Sequence, residues 1–519
     1  MTIPHDKPFK HSKKPKTVVI ISCLGSLLLF LQFTAFQSPL HFSWSLASYA
    51  PANQTLMAML RDSVTFLPLK DLRYSDEPTS GHTWFMSSVN DTFEPNDSEY
   101  LHFPSNSSKG RMLCLLSHDR HDGARNSYAF AWPNALPHGA TLLPGLTYIS
   151  DTYYDYTNLW HGISALVPFV GWHMRKGCAV SPARWVLFHW GELRTGMGTW
   201  IKSIAEVTIG KVNIETFEMI DGPVCFEEAV VFRHNQGAMA KMRLREVYER
   251  IKCMAREFCK VDMEKIKSDK EIRMTLLLRT VSRSFKNETT VVRIFEEECA
   301  KVETCTFRAV KSENLTFCDQ VRVLSETDIL ATPHGAQMTN MIFMERNGSL
   351  MEFYPTGWKE MAGGGQYVFR WLADWAGMKH QGSWWDDGGP ACNGTAPNLD
   401  CFDAFKDRQI GHDAAYFAQW ANRVILEMKE NKRNASVALH SVPAQATKQQ
   451  FRTFYTLDPE NLANTKSIFC CLAGTCASPQ QTTRTRYVSP LPDLFEGPYA
   501  EKQREISSLD PSNKHTTEN

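Results

Sequence analysis

The chain has 519 residues, long enough to bury a large core and to form two domains of ordinary size. Its 56 basic and 56 acidic residues cancel, which excludes the basic footprint of a nucleic-acid-binding protein. Fourteen tryptophans suit core packing and also the faces of sugar rings.

Lys7, Lys10, Lys13, Lys14 and Lys16 precede an uncharged, mostly apolar run from Thr17 to Phe36. Twenty helical residues rise about 30 Å, the thickness of a bilayer core. Lysines before the run, with no charge after it until Arg61, predict a membrane anchor over 17–37 and a cytoplasmic tail over 1–16. The rival is a cleavable signal peptide with small residues near Ala47 to Ala50, but its apolar stretch should be shorter. The rest is then lumenal. Sequons at Asn53, Asn90, Asn96, Asn106, Asn287, Asn314, Asn347, Asn393 and Asn434 agree, and the cluster from Asn53 to Asn106 suits a glycosylated stem over 38–108.

Thirteen of the fourteen cysteines follow the apolar run, with no paired CxxC spacing for zinc, so disulfides are expected. Local candidates are Cys253 with Cys259, Cys299 with Cys305 or Cys318, and Cys392 with Cys401.

Regular patterning starts near Arg111–Leu116. Arg184–Trp190 and Val224–Phe232 read as strands, and Ala238 to Cys259 as an amphipathic helix. A second series begins with a strand at Ile272–Leu278. A helix over Glu288–Val302, a strand over Thr304–Val310 and a helix over Phe317–Ser325 follow. They lead into a strand at Asp328. This alternation predicts an α/β fold of parallel sheets with helices on both faces, split into 109–260 and 261–435. The polar stretch 436–519 is expected to be poorly ordered.

Three groups of residues are candidates for chemistry. Asp328 to Phe343, with Gly348–Pro355, reads as strand, Gly-containing turn, helix start and second strand. That order aims the N–H groups of Gly335, Ala336 and Gln337 at an anion such as phosphate. Arg279 and Arg283 end the Ile272 strand, and their guanidinium forks match phosphate oxygens; salt bridges to Glu296 and Glu297 are the alternative. Asn287 suits a helix cap. His161, in Asn158-Leu-Trp-His161 beyond the run Asp151–Tyr156, fits a general base, a sugar-hydroxyl ligand or a structural hydrogen-bonder. In Trp384-Trp-Asp-Asp-Gly-Gly389 the carboxylates suit a metal and the tryptophans a sugar face, but Asp-Asp-Gly-Gly reads as an ordinary turn, and that reading is preferred. No Walker A, HExxH, GxSxG or dinucleotide GxGxxG motif is present.

Three blocks resemble glycosyltransferase family 61 in order: Asn158–His161; Arg279, Arg283, Asn287 and Glu288; and His334-Gly-Ala-Gln-Met-Thr-Asn340 with Glu352 and Pro355. The segment Val224–Glu227 is also similar, so the resemblance covers about residues 150 to 385. It implies a GT-B-like architecture of two Rossmann-like domains with the donor cleft between them, 109–260 facing the acceptor and 261–435 holding the nucleotide-sugar. The donor set it implies is Arg279, Arg283, Asn287, His334, Gly335, Ala336, Gln337, Thr339, Asn340 and Glu352. It further implies inverting transfer of xylose, arabinose or GlcNAc from a UDP-sugar to a glycan, with no prosthetic group and no required metal.

Where the family carries Asp four residues beyond the block's His, this chain has Ala165. Asp155 and Glu192 are the carboxylates expected to stand in beside His161. Asn287 opens a sequon inside the donor block and should stay unmodified if it faces the cleft. The expected protein is a type II Golgi membrane enzyme, alone or in a homodimer or enzyme complex, decorating a cell-wall polysaccharide such as xylan. The alternatives are a protein-directed O-glycan GlcNAc transferase and a non-catalytic lumenal glycan-binding relative, the latter suggested by Ala165.

Overall fold

All seven residues of Ile272–Leu278 are buried, the pattern of a parallel strand covered on both faces rather than an alternating one. In the computed structural model this strand, β10, lies inside a five-stranded parallel sheet. The structure describes residues 50–69, 100–152, 156–189, 191–232, 239–266, 271–358, 363–388 and 399–440. The expected anchor at 17–37 lies outside them, as does everything beyond 440. Among the described residues, no helix is long and apolar enough to cross a membrane.

Helix α1 spans Ala50–Asp62. Both sheets belong to one unit, Met57–Asn519. The first sheet contains β1 (Leu67–Pro68), β2 (Tyr100–Phe103), β3 (Met112–Leu116), β4 (Ser127–Ala131), β5 (Thr141–Thr152), β6 (Arg184–His189), β7 (Glu192–Arg194), β8 (Asn213–Ile214) and β9 (Val224–Phe232). Its order is β1-β4-β3-β9-β5-β6-β7, with β2 on β9 and β8 on β6. Its parallel pairs are β5 with β6 and β9, and β6 with β8, whereas β3, β4 and β7 pair antiparallel. This differs from the all-parallel expectation, because β3–β4 and β6–β7 are joined by short connections that reverse the chain. β1 and β2, inside the stretch 38–108, pair with this sheet.

Helices α2 (Leu159–Arg175), α3 (Thr199–Ile209) and α4 (Lys241–Phe258) follow β5, β7 and β9. The second sheet adds β11 (Cys305–Lys311), β12 (Ile329–Pro333), β13 (Ser349–Tyr354) and β14 (Lys379–Trp385), in the order β11-β10-β12-β13-β14. Relabelled by sequence that order is 2-1-3-4-5, a doubly wound sheet. Helices α5 (Glu288–Ala300) and α9 (Ala414–His440) cover one face, with Phe295, Phe417, Trp420 and Val424 in their core. Helix α6 (Phe317–Ser325), a 3-10 helix at Ala336–Phe343 and helix α7 (Val368–Trp375) cover the other. That second core continues into the first sheet, so Val186 and Leu166 share a buried cluster with Leu330 and Met338. Helix α8 (Leu399–Lys406) precedes α9.

Disulfides join Cys114 to Cys225, Cys259 to Cys318 and Cys299 to Cys305. Cys178, Cys253 and Cys401 are disulfide-bonded as well. The pairing Cys299–Cys305 matches one of the expected local pairs. Cys253 with Cys259 does not form. Cys259 lies just beyond the last turn of α4, where it meets Cys318 in the first turn of α6, a juxtaposition that sequence spacing does not reveal.

Candidate functional site

In a 2-1-3-4-5 sheet the strand order reverses between the first and third strands, and loops leaving that point open a crevice. Here those strands are β10 and β12, paired side by side. The loop after β10 carries Arg279 and Arg283; the loop after β12 is Pro333-His334-Gly335. The Arg279 Nε donates to the Ser282 carbonyl at 2.7 Å and Nη2 to Ser282 Oγ at 3.2 Å. Arg283 takes a left-handed φ of 59°, and its N–H donates to the Arg408 carbonyl at 3.2 Å. The loop is thus stitched to the segment before α9, through Ile410 and Ser284 as well.

Both guanidinium groups converge on Gly335. A Cβ built there would lie 2.4 Å from Arg279 Nη1 and 3.5 Å from Arg283 Cζ. Gly335 has φ 154° and ψ 171°, a region that only glycine occupies readily. Among the described residues no carboxylate lies within ion-pair distance of either arginine. Burial lowers the affinity of both for their protons; for Arg283 the charge of Arg279 adds to this and brings its pKa to about 10, with Asp407 opposing. Glu313 and Asp407 oppose the shift of Arg279. Two clustered, desolvated cations with no carboxylate at ion-pair distance among the described residues favour an anionic ligand, because an unpaired buried charge is costly.

The chain after Gly335 forms a 3-10 helix over Ala336–Phe343 rather than the expected α-helix start. Asn340 Nδ2 donates to the Gln337 carbonyl at 3.1 Å, a side chain occupying a backbone acceptor within the turn. No side chain caps the N-terminal end. Gln337, Thr339 and Asn340 are buried. Gln337 bridges Thr332 Oγ1 (2.9 Å) and Ser312 Oγ (3.1 Å), and Asn340 Oδ1 accepts from Trp200 Nε1 at 2.8 Å. Gln337 and Asn340 thus brace the turn, and Trp200 ties it to α3, while Thr339 Oγ1 is buried without a hydrogen-bond partner among the described residues. Ala336 is half-buried beside them. Asn287 is exposed, its Oδ1 accepting from Thr290 N at 3.2 Å as the N-cap of α5.

His334 and Glu352 are buried together. The Glu352 carboxylate contacts His334 Nδ1 and His380 Nε2, each at 2.7 Å. Burial alone would raise the pKa of Glu352, but the hydrogen bonds and charges of the two histidines outweigh it and bring the value down to about 2. An ionised carboxylate only accepts, so both imidazoles donate. His380 Nδ1 accepts from Gly382 N at 3.3 Å, which fixes its tautomer. Burial lowers the pKa of His334, aided by Arg283 and Arg279 and opposed by Glu352. The His334 ring stacks on Tyr354 at 4.6 Å, and Tyr354 stacks on Trp385 at 3.7 Å. Trp358 flanks both His334 and Arg283, each 5.7 Å from its ring.

On the first sheet, Asn158 caps α2 by accepting from Trp160 N at 2.9 Å, which sets His161 in the first turn. Burial, then the nearby His189, pushes the His161 pKa down to about 4. Trp160 contacts Phe369 of α7 at 5.9 Å, and Phe369 contacts His334 at 5.2 Å. One aromatic residue therefore links the His161 block to the His334 block. Ala165, one turn after His161, is buried. Glu192 stands opposite His189 in the β6–β7 pair and bonds Arg194 at 3.0 Å. Burial raises its pKa, with Arg194 and His121 opposing. An open cavity of about 500 Å³ lined by His118, Asp119, Arg120 and His121 contains none of the candidate residues. Asp155 lies outside the described residues.

Trp384 and Trp385 end β14, and beyond them Asp386 accepts from Gly388 N at 3.0 Å and Gly411 N at 2.6 Å. Among the described residues no cluster of His, Cys, Asp or Glu could hold a metal ion. Sequence reasoning missed His380 and Trp358, which lie outside the Arg and His blocks, and Tyr354, which stands between Glu352 and Pro355 on β13 without being singled out.

Residues 135–351 match the family model described as Glycosyltransferase 61. This region is similar to glycosyltransferase family 61. The glycosyltransferase 61 match contains Arg279, Arg283 and Gly335 and stops one residue before Glu352. No curated protein matches the chain. Among solved structures, the metal-soaked Flv1 flavodiiron core from Synechocystis sp. PCC6803 aligns at 10% identity with a TM-score of 0.21. The alignment covers 41% of this chain and 44% of that one, and supports no inference about function.

Proposed function

We propose that this glycosyltransferase moves a sugar from a UDP-sugar to a glycan hydroxyl with inversion at the anomeric carbon. The observation that carries the reading is the meeting of Arg279 and Arg283 at Gly335, at the switch point of a doubly wound sheet. Two guanidinium forks and a glycine backbone suit a diphosphate, whose negative charge grows as it leaves.

In this reading a base on the first sheet removes the acceptor hydroxyl proton while the acceptor oxygen bonds the anomeric carbon. The bond from that carbon to the β-phosphate oxygen breaks, and UDP departs with the electron pair. His161 is the proposed base, with Asp155 or Glu192 as the carboxylate partner; its depressed pKa keeps the imidazole neutral and able to accept a proton. The arginines supply the positive charge, so a metal is not required. The two sheets would then be the halves of a GT-B architecture, 109–260 facing the acceptor and 261–435 the donor.

A pentose or GlcNAc is the proposed sugar and a cell-wall polysaccharide such as xylan the proposed acceptor, with a protein O-glycan second. The disulfides and the apolar run at 17–37 support a type II protein of the Golgi lumen. Ala165 favours one alternative, a relative that binds the nucleotide without transfer. The test is UDP release from UDP-xylose, UDP-arabinose and UDP-GlcNAc without acceptor, since background hydrolysis needs no knowledge of the glycan. Tight UDP binding without release, even with mixed acceptors, would favour the non-catalytic alternative. No UDP binding at all would end the sugar-nucleotide reading.

A further inference from the structure

In a sheet of order 2-1-3-4-5, a nucleotide whose phosphates sit between strands 1 and 3 extends along the carboxyl edge, and a ribose needs an acceptor for its hydroxyls. Strand 2 is β11, and the chain leaving it forms a 3-10 turn over Ser312–Asn314. This turn is held from two sides. Ser312 Oγ donates to Gln337 Oε1 at 3.1 Å, joining it to the Gly335 turn. Glu313 Oε1 accepts from Thr280 N at 3.3 Å and Thr280 Oγ1 at 3.0 Å, joining it to the loop of Arg279.

Glu313 is exposed, and among the described residues its carboxylate has no other hydrogen bond and no ion pair. It acts on Arg279 through its charge, so the two groups share one neighbourhood. One oxygen is therefore fixed in place and the other is open to a ligand. A carboxylate only accepts, so that ligand must be a donor such as a hydroxyl. A negative group would repel a phosphate seated directly on it, but a ribose lies one ester bond beyond the α-phosphate.

We infer that Glu313 binds the vicinal hydroxyls of the donor's ribose, selecting ribonucleotides over 2′-deoxyribonucleotides. This rests on the diphosphate reading of Arg279, Arg283 and Gly335. Thr280 is the positioning residue, since its two donors hold the carboxylate while its neighbour Arg279 meets the phosphates.

The test is calorimetric titration of the full chain with UDP and with 2′-deoxy-UDP. Wild type should bind UDP about ten- to hundredfold more tightly, the size of one charge-assisted hydrogen bond. Glu313→Ala should lose most of that preference while still binding 2′-deoxy-UDP like wild type. Arg283→Met should weaken both nucleotides and keep their ratio. Equal binding of the two nucleotides by wild type would overturn the inference without need of any variant, and so would a preference that survives Glu313→Ala. If neither nucleotide binds wild type, the diphosphate reading itself fails and the ribose site falls with it.

Discussion

Arg279 lies so close to Gly335 that a methyl group on the glycine would stand 2.4 Å from its Nη1. Two demands meet at one residue: an extended positive-φ backbone, and no side chain between it and the guanidinium. Gly335→Ala should therefore cost about 1–3 kcal/mol of stability from backbone strain. By moving Arg279 it should also lower UDP affinity about tenfold or more. Denaturant unfolding and calorimetry read the two effects separately. Unchanged UDP affinity would remove Arg279 from the diphosphate seat.

Arg283 is a cation held in a mostly buried place with no carboxylate at ion-pair distance among the described residues, and its Nε is buried without a hydrogen-bond partner. Its removal should not weaken the free protein. Arg283→Met is expected to leave the melting temperature unchanged or raise it, because a desolvated unpaired charge is lost. The same variant should bind UDP about ten- to hundredfold more weakly. A melting temperature lowered by several degrees would instead give Arg283 a structural role.

His161, with its pKa near 4, should remain neutral from pH 5 to 8. Because the folded value lies below the unfolded value near 6.5, its contribution to stability is complete above about pH 6.5. That contribution falls as the pH drops through 4. Imidazole NMR should show a midpoint near 4 for this residue, and one near 6.5 would contradict the burial argument. His161→Ala should reduce kcat by about 10²–10⁴ while leaving UDP affinity intact.

Glu352 has a folded pKa near 2 against an ordinary value of 4.5. It therefore stabilises the fold above about pH 4.5, and this is lost as pH falls toward 2. Glu352→Gln cannot accept from both His334 and His380, since one amide end is a donor. The variant should lose about 3–5 kcal/mol, the usual cost of breaking a buried charged network. Urea unfolding at pH 7 and pH 3 should show a smaller difference for the variant than for wild type. Equal slopes would mean that Glu352 carries no such shift.

The local elements could be read from the residues alone. The run Ile272–Leu278, the amphipathic spacing before Cys259, and the Asn cap at 287 each express a preference that acts within a few residues. So does the ordered set of Arg, His, Gly, Thr and Asn that marks the family. The division of labour inside that set could not be read. Gln337 and Asn340 read as donor ligands beside Gly335, and the fold shows a further task for both: they hydrogen-bond Thr332 and Trp200 and so brace the turn.

Sequence by itself determined the α/β alternation and the residue types a phosphate needs, since both follow from short-range periodicity and composition. Tertiary structure alone decided that β10 and β12 lie side by side, so that Arg279 and Arg283 face Gly335 more than fifty residues away. It also decided that His380 completes the Glu352 pair and that Cys259 meets Cys318. These are contacts across the chain, made by sheet order and by which helix face packs down, and no local spacing encodes them.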